Sequence, residues 1–252
     1  MNARPRMSPF ALALLAQALV LGWLLSQPLY WAFHFEYALA ANLAVLLVGG
    51  AGAIGALSHP RPLFSEIARA GGRILASLAI AFVLPLLAQV VVGSCDVGEG
   101  IAWFALIPGV GSVLVLGEVL CLRALGASRR RMLILHVLVI LGAALVMGAR
   151  AYFGLSFRLY NVFLGYWPGV LYDEFVPIEL PILIARAQAL LLATGLIALG
   201  GGIVLRRHLP RIAGVALLAL FALSFVQAAR VGIHPWRAPW QRNWASPSRA
   251  VT

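Results

Sequence analysis

The sequence contains no lysine and few charges of any kind. All 19 basic residues are arginine, only 8 residues are acidic, and charged residues make up 11% of the 252 positions. A soluble domain carries about 25%. With 62% hydrophobic residues, the chain lacks the polar groups to cover itself in water, and lipid is its expected solvent. The missing lysine removes Schiff-base chemistry, and with it retinal attachment and pyridoxal-type catalysis. An arginine-only basic set also fits a GC-rich bacterial genome.

Other absences narrow the function further. No GxxxxGK[ST] is present, so there is no sign of a nucleotide-binding P-loop, and no HExxH suggests a zinc protease. The five histidines have no metal-ligand spacing, and no cofactor or metal is expected. The net charge of +11 would suggest nucleic acid if the arginines formed a patch. They lie in small groups between apolar runs, so no nucleic-acid partner is expected. Cys95 and Cys121 would sit at opposite ends of one helix, about 39 Å apart. A disulfide needs Cα atoms within about 7 Å, which excludes a bridge between them.

What remains is a set of apolar runs, each long enough to cross a hydrocarbon core of about 30 Å. They lie near 8–26, 37–57, 74–93, 101–122, 132–149, 181–205 and 212–229. The predicted fold is all-α: one polytopic transmembrane helical bundle over 1–230 with about seven spans, followed by a Trp- and Arg-rich extracytoplasmic tail, 231–252. The first run follows Arg4 and Arg6 but is too long for a signal-peptide core and has no clear cleavage site, so it reads as an uncleaved span.

Arginines mark alternate connections. Arg61, Arg69 and Arg73 fall in 58–73; Arg123, Arg129, Arg130 and Arg131 in 123–131; Arg206, Arg207 and Arg211 in 206–211. The intervening segments 27–36 and 94–100 have none. Positive loops stay in the cytosol, which predicts the N-terminus inside and the C-terminus outside a bacterial cytoplasmic (inner) membrane. Arg150, Arg158 and the tail arginines pull the other way, and a six-span alternative would put the tail inside. Trp23, Tyr30, Trp31 and Trp103 are expected at the outer border as an aromatic belt. Small residues in the second, fifth and sixth spans (Gly49 to Gly55; Ala144 and Gly148; Ala198 to Gly202) are expected at close helix contacts. Pro85 and Pro108 are expected to kink the third and fourth spans at similar depth.

Two places carry candidate chemistry. Glu118 lies inside the fourth span, where an ionisable group costs about 2.5–3.5 kcal/mol. His136 lies early in the fifth. Both are equally far from Ala127, so an antiparallel hairpin would put them at one depth, sharing a proton or a hydrogen bond. The alternative has Glu118 reaching Arg123 or a loop. The second place is the aromatic outer segment 150–180, read as an interfacial helix, a tight turn at GYWPG and an acidic step. Tyr166, Trp167, Tyr172, Asp173, Glu174, Glu179 and Arg186 form this candidate site, with Arg186 paired to one of the three carboxylates. It would take a cation, a lipid headgroup or a partner domain.

The expected function is a membrane anchor or scaffold module that offers its outer face to another membrane or extracytoplasmic protein, or to the lipid bilayer. One alternative is a transporter or channel-like protein with a proton-coupled Glu118–His136 site. Another is a membrane enzyme acting on a lipid-linked substrate.

Overall fold

A computed structural model of the chain describes residues 7–30, 33–57, 63–92, 97–153, 159–167 and 177–230. It is nearly all helical. We label the helices α1 (Pro9–Leu25), α2 (Phe35–Leu57), α3 (Leu63–Val92), α4 (Val97–Ala124), α5 (Arg129–Phe153), α6 (Leu180–Val204) and α7 (His208–Arg230). Two short strands, β1 (Leu159–Asn161) and β2 (Gly165–Trp167), pair antiparallel between α5 and α6. Six helices, α2 to α7, are long and apolar enough to cross a membrane. α1 is shorter, at 17 residues, or about 25 Å.

The side chains explain where these helices start and stop. Ser8 caps α1 by accepting from the Ala11 N–H at 3.1 Å, with Pro9 in the first helical position. α4 ends at Gly126, whose φ of 71° lets the chain turn back while Ala127 N–H bonds Leu122 O. The α6–α7 turn passes through Arg206 at φ 54°, and Arg211 Nε donates to Gly202 O at 3.0 Å, satisfying a terminal carbonyl of α6.

Helix α3 begins three turns before the apolar run expected at 74–93. Arg69 and Arg73 therefore belong to a helix and not to the cytosolic loop assigned from their charge. Long arginine stems allow this. Arg69 bonds Ser65 O on its own helix, while Arg73 reaches Gly52 O at 2.8 Å and lies over the Phe10 ring.

Polar bonds tie the helices together. Gln17 of α1 and Ser77 of α3 are both buried and bond reciprocally: Gln17 Nε2 donates to Ser77 O, and Ser77 Oγ donates to Gln17 Oε1. Tyr37 of α2 donates to Ala81 O of α3 at 2.7 Å, and Cys121 of α4 donates to Leu196 O of α6 at 3.3 Å. Close glycine contacts add to these. A Cβ on Gly200 would meet the α4 backbone at 2.9 Å, and one on Gly214 would meet the α6 backbone at 2.5 Å. Only glycine permits those approaches. A Cβ on Gly148 would meet nothing within 4 Å, so no such contact requires glycine there.

The outward faces are apolar around the bundle. Leu75, Val83 and Leu87 of α3, Leu138, Leu141 and Leu145 of α5, and Ile212, Val215 and Leu223 of α7 are all exposed. An apolar circumference of this extent belongs in lipid.

Candidate functional site

A polar centre forms where three helices meet. Glu118 lies about two turns before the end of α4, and His136 about two turns after the start of α5. The short turn between them brings both to one level. Both are buried, and His136 Nδ1 stands 3.0 Å from Glu118 Oε2. On the other side of the ring, His136 Nε2 lies 2.9 Å from Leu46 O on α2. A carbonyl can only accept, so Nε2 carries a proton and donates. The Nδ1···Oε2 contact then holds a single proton, on nitrogen as imidazolium–carboxylate or on oxygen as imidazole–carboxylic acid. Either form is neutral overall, which is what a low-dielectric site requires.

The local fold of α2 prepares this contact. Residues Val45–Gly49 form a π-turn, which offsets carbonyls from a regular helix. Leu46 O accepts from Gly50 N–H as well as from His136. A Cβ on Gly50 would collide with His136 Nε2, so glycine at that position lets the ring lie against α2. Glu118 Oε1 is buried and has no hydrogen-bond partner. Arg123 lies 4.0 Å from Glu66, a buried acid of α3.

The half of the bundle away from the α4–α5 turn holds the β-hairpin. Its turn is Val162 to Leu164, earlier than the GYWPG turn read from the sequence, and Gly165–Trp167 is strand β2. Asn161 sets this turn, because its Oδ1 accepts from the Phe163 and Leu164 N–H groups at 2.9 and 3.0 Å. No helix lying along the interface occurs among the described residues of 150–180; α5 runs on to Phe153 instead.

The hairpin enters the bundle, and several helices grip its backbone. Asn42 Nδ2 of α2 donates to Phe163 O and Leu164 O at 2.9 and 3.2 Å. Arg186 Nη2 of α6 donates to Val162 O at 2.7 Å, and Asn161 Nδ2 donates to Ala143 O of α5 at 3.0 Å. Irregular backbone at membrane depth is tolerated only where protein buries it and satisfies it, and these bonds do both. Tyr166 is buried and stacks on Trp103, with centroids 6.2 Å apart and planes 7° apart. Trp103, expected at the membrane border, is fully buried and donates to Glu99 Oε1 at 3.0 Å. Trp23 is 63% exposed.

Among the described residues no carboxylate stands within ion-pair distance of Arg186, Glu179 included. Glu179 is instead the N-cap residue of α6. Tyr172, Asp173 and Glu174 lie outside the described residues, and Trp167 is placed only through its strand. Pro108 falls in a second π-turn, Ala105–Gly109, and Pro85 lies within the continuous α3 helix. Sequence reasoning missed the roles of Gly50, Leu46 and Gly111. A Cβ on Gly111 would collide with Asn42 Oδ1. Asn42, a polar residue within the second apolar run, holds the hairpin. Acceptor carbonyls and absent side chains leave no signal in residue type; the adjacent glycines were the nearest to one.

Among the described residues, no three His, Cys, Asp or Glu side chains gather as a metal ion would need. No family, no curated protein and no solved structure matches this chain.

Proposed function

We propose that the chain is a multi-pass protein of a bacterial cytoplasmic membrane, with seven spans, the N-terminus in the cytosol and the C-terminus outside. In this reading α1 is the seventh span. Its reciprocal Gln17–Ser77 bonds to α3 support that, since they place it alongside a long apolar helix. The protein acts as an anchor or scaffold module, and its outer-face segment is offered to a partner protein or to lipid.

One observation carries this reading. Side chains from α2, α6 and the hairpin itself form bonds, the last to a main-chain carbonyl of α5, that fix a non-helical segment in place within the outer half of the bundle. The polar groups inside the bundle are largely spent on bracing. A photo-crosslinking residue at Tyr152 or Phe153, both exposed at the outer end of α5, tests it in intact cells. A single dominant adduct is expected there, absent from the same probe at Leu125 on the opposite end. Equal labelling from both ends would remove the scaffold reading.

A second reading, a transporter with a proton-coupled site, is favoured by the unpartnered Glu118 Oε1 beside the shared proton. Proton flux into proteoliposomes that disappears in Glu118→Gln would select it over the scaffold.

A further inference from the structure

Three arginines gather where α2 ends. Arg73 of α3 is held from two sides: Nη1 donates to Gly52 O at 2.8 Å, and the guanidinium lies over the Phe10 ring of α1, 5.2 Å from its centroid. Arg69, one turn earlier, is fixed by Ser65 through Nε and Nη2. Arg129 opens α5 and is exposed. A Cβ on Gly55 of α2 would stand 2.9 Å from Arg73 Nη1 and 3.8 Å from Arg129 Nη2. Guanidinium groups from two helices therefore approach one point. Like charges this close repel, and an anion beside both relieves the repulsion.

No acid of the chain is left to play that part. The sequence has 8 acidic residues. Glu66 is paired with Arg123, and Glu118 with His136. Glu36, Glu99 and Glu179 stand at the starts of α2, α4 and α6, at the opposite end of the bundle. Asp96 directly precedes α4. Asp173 and Glu174 precede Glu179 so closely that the extended chain between them covers at most about 22 Å, against about 37 Å for the length of α6. The first turn of α5 holds Arg129, Arg130 and Arg131 and no acid, so like charge meets the positive end of its dipole. The donors are also within reach. Among the described residues, no nitrogen of Arg69 or Arg73 is buried without a partner, so the N–H groups that the protein leaves unused open to the surface.

Depth points to the kind of anion. Helix α3 has 30 residues, or about 45 Å, and a hydrocarbon core is about 30 Å thick. Its first turns project beyond the core, and Arg73, about 15 Å from Leu63, falls at the border. Phe64 and Leu75 flank the two α3 arginines in sequence, and both are exposed. Charge at the level of the phosphates, with apolar surface next to it, matches a phospholipid better than a free ion or an acidic peptide. We infer that Arg69, Arg73 and Arg129 bind the headgroup of an anionic phospholipid, with its phosphodiester between α3 and α5. The guanidinium fork suits phosphate oxygens, and basic sites between spans hold such headgroups. On the proposed orientation this lipid belongs to the cytosolic leaflet. The inference rests on the chain spanning a bilayer, but not on its orientation or on the scaffold reading.

Native mass spectrometry and thermal unfolding of the full chain in detergent provide the test, with phosphatidylglycerol and phosphatidylcholine of the same acyl chains as probes. The wild-type chain is expected to retain one phosphatidylglycerol under conditions that strip phosphatidylcholine. Arg73→Gln and Arg129→Gln are each expected to weaken that retention about fivefold. Arg207→Gln, which removes an exposed arginine from the α6–α7 turn at the same end, leaves it unchanged. Arg73→Gln loses a bond to α2 and can fail to fold; Arg129 is exposed, and its variant then carries the test. Equal retention of the two lipids overturns the inference, as does undiminished retention in Arg129→Gln. An equal drop in Arg207→Gln also overturns it, by showing a diffuse field in place of a site. Stabilisation by inorganic phosphate, with none by phosphatidylglycerol, overturns the lipid assignment.

Discussion

Glu118 and His136 depend on each other because neither has water to fall back on. Glu118→Gln can keep the contact by donating an amide N–H to Nδ1, so its effect on stability is expected to be small. Glu118→Leu leaves Nδ1 unsatisfied and is expected to cost about 1–3 kcal/mol. A double-mutant cycle with His136→Ala, read from unfolding in detergent, should return a coupling of about 1 kcal/mol, the scale of interhelical hydrogen bonds in membranes. A coupling of zero would dissolve the pair. Gly50→Ala drives a methyl into the imidazole and should destabilise by about 1–3 kcal/mol through overpacking alone. Equal spacing from Ala127 made the depth of the two side chains legible in the sequence. The third member, Leu46 O, was not legible, because every residue has a carbonyl and only the fold selects one. For Arg186 the charge suggested an acid, and among the described residues its side chain meets a backbone oxygen.

At the scale of elements, hydropathy located the helices well, since each long helix has to match the thickness of the bilayer. It failed where arginine stems let a helix continue past its apolar run, as in α3. Over 159–167, where aromatic residues suggested a surface helix, the described residues form a hairpin. There the deciding residue is Asn161, which shapes the turn through its own side chain and ties it to α5. Asn161→Ala should loosen the hairpin while leaving the helices intact. Hydrogen exchange is the suitable measurement: faster exchange is expected at Phe163 and Leu164, with α4 and α6 unchanged. Uniformly faster exchange throughout the bundle would show that the hairpin is not a separate unit.

For the molecule as a whole, orientation is the property most open to direct test. Reporter fusions after Ser26 and after Gly126 should behave oppositely, the first as periplasmic and the second as cytosolic. The reverse result would invert every assignment of inner and outer faces. A wider consequence comes from the bracing. Gln17, Tyr37, Asn42, Arg73, Cys121, His136, Asn161 and Arg186 all donate to main-chain oxygens of another segment. Apart from Ser77, whose hydroxyl bonds back to Gln17, each of these locks has its key on one side only, because the receiving side chain makes no part of the bond. Val162, Ala81 and Leu196 are therefore free to drift so long as the backbone keeps its path. Covarying substitutions would be faint at the very contacts that hold this protein in shape.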